Sequence, residues 1–242
     1  MSPRLTWATA ARVLRQLVGD HRTIGLILVV PCVLLGLLAW VYDGTPVFDR
    51  AGPALLGIFP MVVMFVVTSV ATLRERQSGT LERLLTTPLA KADLMLGYAL
   101  AFGVLAIVQA LVATSFAVWA CGLDVEGPVW LLLLTALLSA LLGTSLGLLA
   151  SGFAQTEFKA VQFLPAFVLP QFLLCGLLVP RDRMGDVLSA ISDVLPLSYV
   201  VDAMLEVSAE SRPEAAVPLV VLVGFIVLAL ALGSATLRRR TP

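Results

Sequence analysis

Few side chains in this chain could do chemistry. The one histidine, His21, stands between Asp20 and Arg22 at the edge of an apolar run. An acid–base centre needs a second titratable group held against the first, and a metal centre needs several ligands in a fixed pattern. His21 has neither and reads as a headgroup contact. Cys32, Cys121 and Cys175 each fall inside apolar runs, so they read as small buried hydrophobes and not as a disulfide framework or a metal site. Serines in the apolar runs have no base partner. No GxxxxGK[ST] phosphate loop occurs, so the chain cannot use ATP alone. What remains is a stretch whose chemistry is contact: residues 74–93, RERQSGTLERLLTTPLAKAD. Leu81, Leu84 and Leu85 share one face of a short helix by their i, i+3, i+4 spacing, and Glu82 and Arg83 point elsewhere. Gly79 permits a sharp turn before it, and Thr87-Pro88 stops it. The pattern predicts a short helix at a membrane surface that offers apolar knobs and charges to something outside the bilayer.

The elements that position this stretch are apolar throughout. The chain of 242 residues is 59% hydrophobic and 13% charged, with mean hydropathy +0.98. A soluble domain runs near a quarter charged, so this is an integral membrane protein. Its formal net charge of zero gives no case for nucleic acid. Six runs free of Asp, Glu, Lys, Arg and His predict membrane spans at 23–42, 51–73, 94–123, 127–156, 160–180 and 215–237, each near or above the ~20 residues a crossing needs. Ahead of them, 3–19 predicts an amphipathic interfacial helix. Trp7, Ala10, Leu14, Leu17 and Val18 lie on one side, and Arg4, Arg12, Arg15 and Gln16 largely on the other, with the arginines toward headgroups.

Positive charge orients the spans. With the N-terminus, 74–93, 157–159 and the C-terminus on one side, that side holds 12 of the 16 Lys and Arg. The acids run the opposite way. Both termini are therefore expected in the cytoplasm, with Arg238, Arg239 and Arg240 anchoring the last span. The segment 181–214 falls outside. There Val187, Leu188, Ile191, Val194 and Leu195 recur at helical spacing up to Pro196, and Tyr199, Val200, Ala203 and Met204 begin a second helix. This predicts an outer re-entrant helical hairpin, tolerable only if buried against protein or lining a cavity. The ladder Ser139, Gly143, Gly147, Ser151 lets helix backbones approach closely. It reads as packing within one chain ahead of a subunit interface.

The string Glu75-Arg76-x-x-Gly79-Thr80-Leu81-Glu82-x-Leu84-x-x-Thr87-Pro88 resembles the cytosolic loop signature of ABC type-2 exporter permeases, a group that includes bacterial drug-resistance permeases of the daunorubicin type. Pro196-Leu197-Ser198-Tyr199-Val200-Val201-Asp202-Ala203 is similar to the same family. The resemblance implies an all-α membrane domain with a coupling helix, built from Glu75, Arg76, Gly79, Thr80, Leu81, Glu82, Arg83, Leu84, Leu85, Thr87 and Pro88, which docks on a separate ATPase subunit. It also implies an elbow helix packed near the coupling helix. It implies two ATPase copies and a second permease subunit, a homodimer ahead of a heterodimer, in a bacterial plasma membrane. ATP and Mg would be bound by the ATPase, and no cofactor by this chain. Gly176-Leu177-Leu178-Val179 resembles the place where G-subfamily multidrug exporters form a plug, which implies that role for Leu177 and Leu178.

The residues themselves suggest a cavity lined by Phe65, Phe167 and Phe172, whose rings can stack on apolar cargo, with Gln171 the polar group nearest the middle of its span. Tyr199 and Asp202 mark the outer segment after Pro196. With no ionisable group in any span, hydrophobic or amphipathic cargo is expected: a drug, a lipid or a natural product. Polysaccharide or glycolipid export is the alternative within the family. An ion-coupled secondary transporter is disfavoured, because such carriers place carboxylates or histidines within the membrane.

Overall fold

The computed structural model describes residues 3–78 and 91–236. The described residues form nine α-helices and no strand: α1 (Pro3–Gly19), α2 (His21–Val41), α3 (Val47–Gln77), α4 (Lys91–Ser115), α5 (Val129–Ser151), α6 (Glu157–Leu174), α7 (Asp186–Ser192), α8 (Pro196–Ala209) and α9 (Ala216–Thr236). A π-helical turn, Phe116–Ala120, extends α4. Five of these helices are long and apolar enough to cross a membrane: α2, α3, α4 with its extension, α5 and α9. The pair α7 and α8, bent by 88°, counts as a sixth if taken as one broken span.

α3 is the hub, packing against α2, α4, α5, α6 and α8. It runs 31 residues, about 46 Å at 1.5 Å per residue. That exceeds the ~30 Å of bilayer hydrocarbon. The expected span at 51–73 is therefore the middle of a longer rod that carries Arg74 to Gln77 past the apolar zone. Small residues let α5 lie against it. A methyl group on Gly143 would sit 2.1 Å from the Met61 carbonyl oxygen, and one on Gly147 2.6 Å from that of Phe65. Ser139 Oγ donates to the Gly57 carbonyl at 2.7 Å. The small-residue ladder is thus spent inside the chain.

Three runs end differently from their apolar limits. The expected spans 94–123 and 127–156 are trimmed, since a non-helical stretch over 121–128 joins the π turn to α5. The expected span 160–180 stops as a helix at Leu174. Gly176 takes a positive φ of 92°, open to glycine and strained for other residues, and the chain turns away there. Leu177 and Leu178 therefore lie beyond the end of α6.

Prolines inside α2 and α3 leave carbonyls without their usual donor. In α2, Pro31 withdraws the N–H that Ile27 would receive. Gln109 of α4, 1% exposed, donates its Nε2 to that Ile27 carbonyl at 3.0 Å. Only Ile27, Pro31 and Leu35 of α2 are buried, a single line of residues four apart.

Candidate functional site

Four consecutive residues finish α3, and 3.6 residues make a turn, so Arg74, Glu75, Arg76 and Gln77 point in all directions. Each reaches a different element. Glu75 accepts from Arg12 of α1 at 2.7 and 3.4 Å. Arg12 also donates to the Tyr98 hydroxyl of α4 at 3.4 Å and to Gln16 at 3.1 Å. Arg76 donates to the carbonyl of Ser151 at 2.6 Å. That group ends α5 and has no partner within its own helix. Arg74 makes a two-pronged pair with Glu157, the first residue of α6, at 2.8 and 3.1 Å. Gln77 Nε2 donates to the Gln155 carbonyl at 3.0 Å. One turn of α3 is thus tied to α1, α5, α6 and the α5–α6 turn, and through Arg12 to α4.

The ties differ in strength. Arg12 and Glu75 are 27% and 16% exposed, so their pair is only partly screened by solvent. Arg74 and Glu157 are 59% and 44% exposed, and exposed pairs contribute about 0–1 kcal/mol. Hydrogen bonds from Arg74 hold the Glu157 carboxyl below its ordinary range.

α1 is seated so that Arg12 can reach Glu75. Its buried stripe is Thr6, Thr9, Ala10, Val13 and Leu17. Gly97 of α4 has no room for a methyl group, which would come within 2.7 Å of the Thr9 side chain. The stripe is rotated from the sequence expectation. Ala10 and Leu17 pack inward, whereas Trp7 and Val18 are 67% and 56% exposed. Arg12, expected to face headgroups with Arg4 and Arg15, turns inward because an acid waits on α3.

Of the residues assigned to coupling, Glu75 and Arg76 belong to this collar. Gly79, Thr80, Leu81, Glu82, Arg83, Leu84, Leu85, Thr87 and Pro88 lie outside the described residues, as do Arg238, Arg239 and Arg240. Sequence reasoning missed Arg12, Tyr98, Ser151 and Glu157 as partners. The legible trace of Arg12 and Glu157 was the uneven placement of charge at the run ends, and Tyr98 and Ser151, uncharged and inside apolar runs, left none as partners.

Among the aromatic candidates, Phe65 and Phe167 converge. With Phe153, Phe163, Leu146, Leu149 and Ala150 they line an apolar crevice of about 150 Å³ between α3, α5 and α6. Phe172 lies away from it and packs on the main core. Gln171 is buried and fully engaged: it donates to the Phe167 carbonyl at 3.0 Å and accepts from the Leu197 N–H at 3.3 Å. It ties α6 to the start of α8, where the first N–H groups lack helical partners. Leu177 is half-buried and packs on the core, and Leu178 is exposed.

The segment after α6 is pinned by polar groups. Arg181 pairs with both Asp193 and Asp202, and its guanidinium lies 5.9 Å from the centre of the Tyr199 ring. The Tyr199 hydroxyl donates to the Asp193 carbonyl at 2.7 Å. Ser192 donates to the Leu174 carbonyl at 2.7 Å. α8 is buried along most of its length, while Val187, Leu188, Ile191 and Val194 on and beside α7 stay exposed.

His21 is exposed. Among the described residues no three metal-ligating side chains converge, and the three cysteines are free.

These elements define a multi-pass membrane protein: apolar helices packed around one long rod, with a polar collar at the rod's end. The chain belongs to the ABC-2 type transporter family, which matches residues 4–208. It is 28% identical over 150 residues to the probable multidrug ABC transporter permease YbhR of Escherichia coli (strain K12), covering 62% of this chain and 41% of that protein. Against the probable multidrug ABC transporter permease YbhS of the same strain it is 28% identical over 153 residues, covering 63% and 41%. Against the linearmycin resistance permease protein LnrN of Bacillus subtilis (strain 168) it is 24% identical over 182 residues, covering 75% and 47%. The matched stretch is thus less than half the length of each of these relatives.

Proposed function

We propose that this chain is the membrane-spanning permease subunit of an ATP-driven exporter in a bacterial inner membrane, powered by a separate ATPase. The observation that carries the reading is the collar. Arg74 to Gln77 join the end of α3 to α1, α5 and α6 immediately before residues 79–90. A push delivered to those residues would reach four helices at once. In this reading Leu81, Leu84 and Leu85 fill a groove on the ATPase as an amphipathic helix does. Gly79, Thr80, Thr87 and Pro88 bound that helix, Glu82 and Arg83 set register at the rim, and Glu75 and Arg76 pass the motion on. Two ATPase copies and a second permease, preferably an identical one, complete the assembly.

Cargo would be hydrophobic or amphipathic. The crevice at Phe65 and Phe167 supports this, as do the relatives' names, which speak of multidrug transport and linearmycin resistance. Leu177 and Leu178 serve as the plug beyond α6. Tyr199 and Asp202 belong to the exit side, where Arg181 fixes Asp202.

Replacing Leu84 with Asp buries an unpaired charge at the contact, which costs several kcal/mol. A membrane-inserted permease that no longer co-purifies with its ATPase, or no longer exports when ATP is hydrolysed, is the expected result. Wild-type recruitment and transport in the same vesicles would remove 79–90 from the coupling role.

The proposed topology has six spans, with α6 one of them and both termini inside. Single cysteines at Ser78 and Ser211, both exposed, on a cysteine-free background test it. An impermeant maleimide applied to intact cells should modify position 211 and leave 78 until the membrane is opened. Labelling in the reverse order inverts the assignment.

A further inference from the structure

Between α1 and the ends of α2, α3 and α4 lies a cavity of about 470 Å³, within the ~300–1,000 Å³ range of small-molecule sites. Its two ends differ in chemistry. The floor is apolar, with Leu26, Val66, Val70 and Phe102 among its lining; the mouth carries Gln16, Asp20, Arg22, Arg74 and Glu75. The two cations and two anions at the mouth balance. Three of those charges are already committed. Glu75 holds Arg12, Arg74 holds Glu157, and Asp20 caps α2 by accepting from the Arg22 and Thr23 N–H groups and the Thr23 hydroxyl. The Asp20 carboxyl is held below its ordinary range by the Thr23 bonds, so it stays ionised. The Arg22 guanidinium has no hydrogen bond or ion pair among the described residues. An uncommitted guanidinium and a persistent carboxylate stand at the rim of an apolar trough, where an amphipathic helix meets the start of a membrane helix. That is the depth at which lipid headgroups lie.

We propose that this cavity binds one zwitterionic aminophospholipid from the leaflet on which α1 rests. The phosphate sits at Arg22, the ammonium at Asp20 and Gln16, and an acyl chain lies along Leu26, Val66 and Val70. Arginine suits a phosphate because it offers several charge-assisted donors in one plane. The balanced mouth selects a neutral headgroup over an anionic one. The bound lipid joins α1 to α2 and α3 beside the collar.

The test uses the full chain in nanodiscs of equal phosphatidylethanolamine and phosphatidylglycerol, extracted with detergent and weighed by native mass spectrometry. Wild type should retain one phosphatidylethanolamine per chain. Arg22→Gln should lower retention about tenfold, the weight of one charge-assisted hydrogen bond. Leu26→Trp, at a position already 55% exposed and tolerant of size, should abolish it by filling the trough. Arg50→Gln, an exposed charge outside the cavity, should leave it unchanged. The proposal fails if no lipid survives extraction, if phosphatidylglycerol is retained equally, or if Arg22→Gln and Leu26→Trp retain lipid as wild type does.

Discussion

Gly143→Leu is expected to abolish folded protein. A Cβ at this position would stand 2.1 Å from the Met61 oxygen, 2.8 Å from its carbonyl carbon and 2.9 Å from its Cα. Those are backbone atoms of α3, so no side chain can rotate out of the way, and the two helices must separate. Overpacking typically costs about 1–3 kcal/mol, occasionally more, and separation adds to it. In a membrane, helix association rests on close van der Waals contact and on interhelical hydrogen bonds. Moving α5 forfeits the first along the whole ladder and stretches the Ser139–Gly57 bond. Gly147→Leu should act alike, since its Cβ would meet the Phe65 oxygen at 2.6 Å. Gly224→Leu is the matched control, because nothing lies within 4 Å of a Cβ there. The readout is the monodisperse fraction after detergent extraction and its thermal midpoint. A Gly143→Leu protein as abundant and as heat-resistant as Gly224→Leu would show that the α3–α5 contact is looser than described.

In the exporter proposed above, reversing either charge of the Arg12–Glu75 pair is expected to uncouple export from ATP hydrolysis, and reversing both to restore it. Arg12→Glu leaves two carboxylates facing each other at the end of α3, and Glu75→Arg leaves two guanidinium groups. With the pair about one-fifth exposed, either change should cost about 2 kcal/mol, below the ~3–5 of a fully buried pair. Arg12→Glu with Glu75→Arg recreates an opposite-charge contact between the same helices. The predicted pattern is loss of ATP-driven export in each single variant, with the ATPase still bound, and substantial recovery in the double variant. Single variants that export normally would mean that α1 does not share in the motion of α3. Failure of the double variant alone would point to the Tyr98 and Gln16 contacts of Arg12, which the shorter glutamate reproduces only if both partners turn to donate.

Much of the helical order could be read from apolar runs and their punctuation. α2, α3, α9 and the bent pair α7 and α8 lie close to where hydropathy and the Pro196 break put them. Sequence periodicity reports which face of a helix is apolar, but not what stands opposite that face. Arg12 looked like a headgroup contact because its partner is 63 residues away on another helix. Gln109 passed unnoticed as one amide in an apolar run. Its use is visible only once Ile27, deprived of a donor by Pro31, is placed beside it. The end of α6 was misplaced because composition stays apolar through Val179, while a single glycine with positive φ turns the backbone. The crevice at Phe65 and Phe167 was legible as aromatic character on two runs. That Phe172 would point elsewhere was not, because it depends on how a helix with two internal prolines is bent.

The seam that holds α2 to the bundle is narrow. Ile27, Pro31 and Leu35 are its buried residues, one line of contact flanked by the half-buried Ile24, Leu28, Leu38 and Ala39, and the amide of Gln109 bonds the Ile27 carbonyl at one end of that line. A helix fastened along one line behaves like a door on its post. Swinging it outward disturbs a few side chains and one hydrogen bond, while sliding it lengthwise must break that bond and unseat all three residues. Gln109 therefore sets the height of α2 as well as its contact, because its amide meets the one carbonyl that Pro31 leaves without a donor.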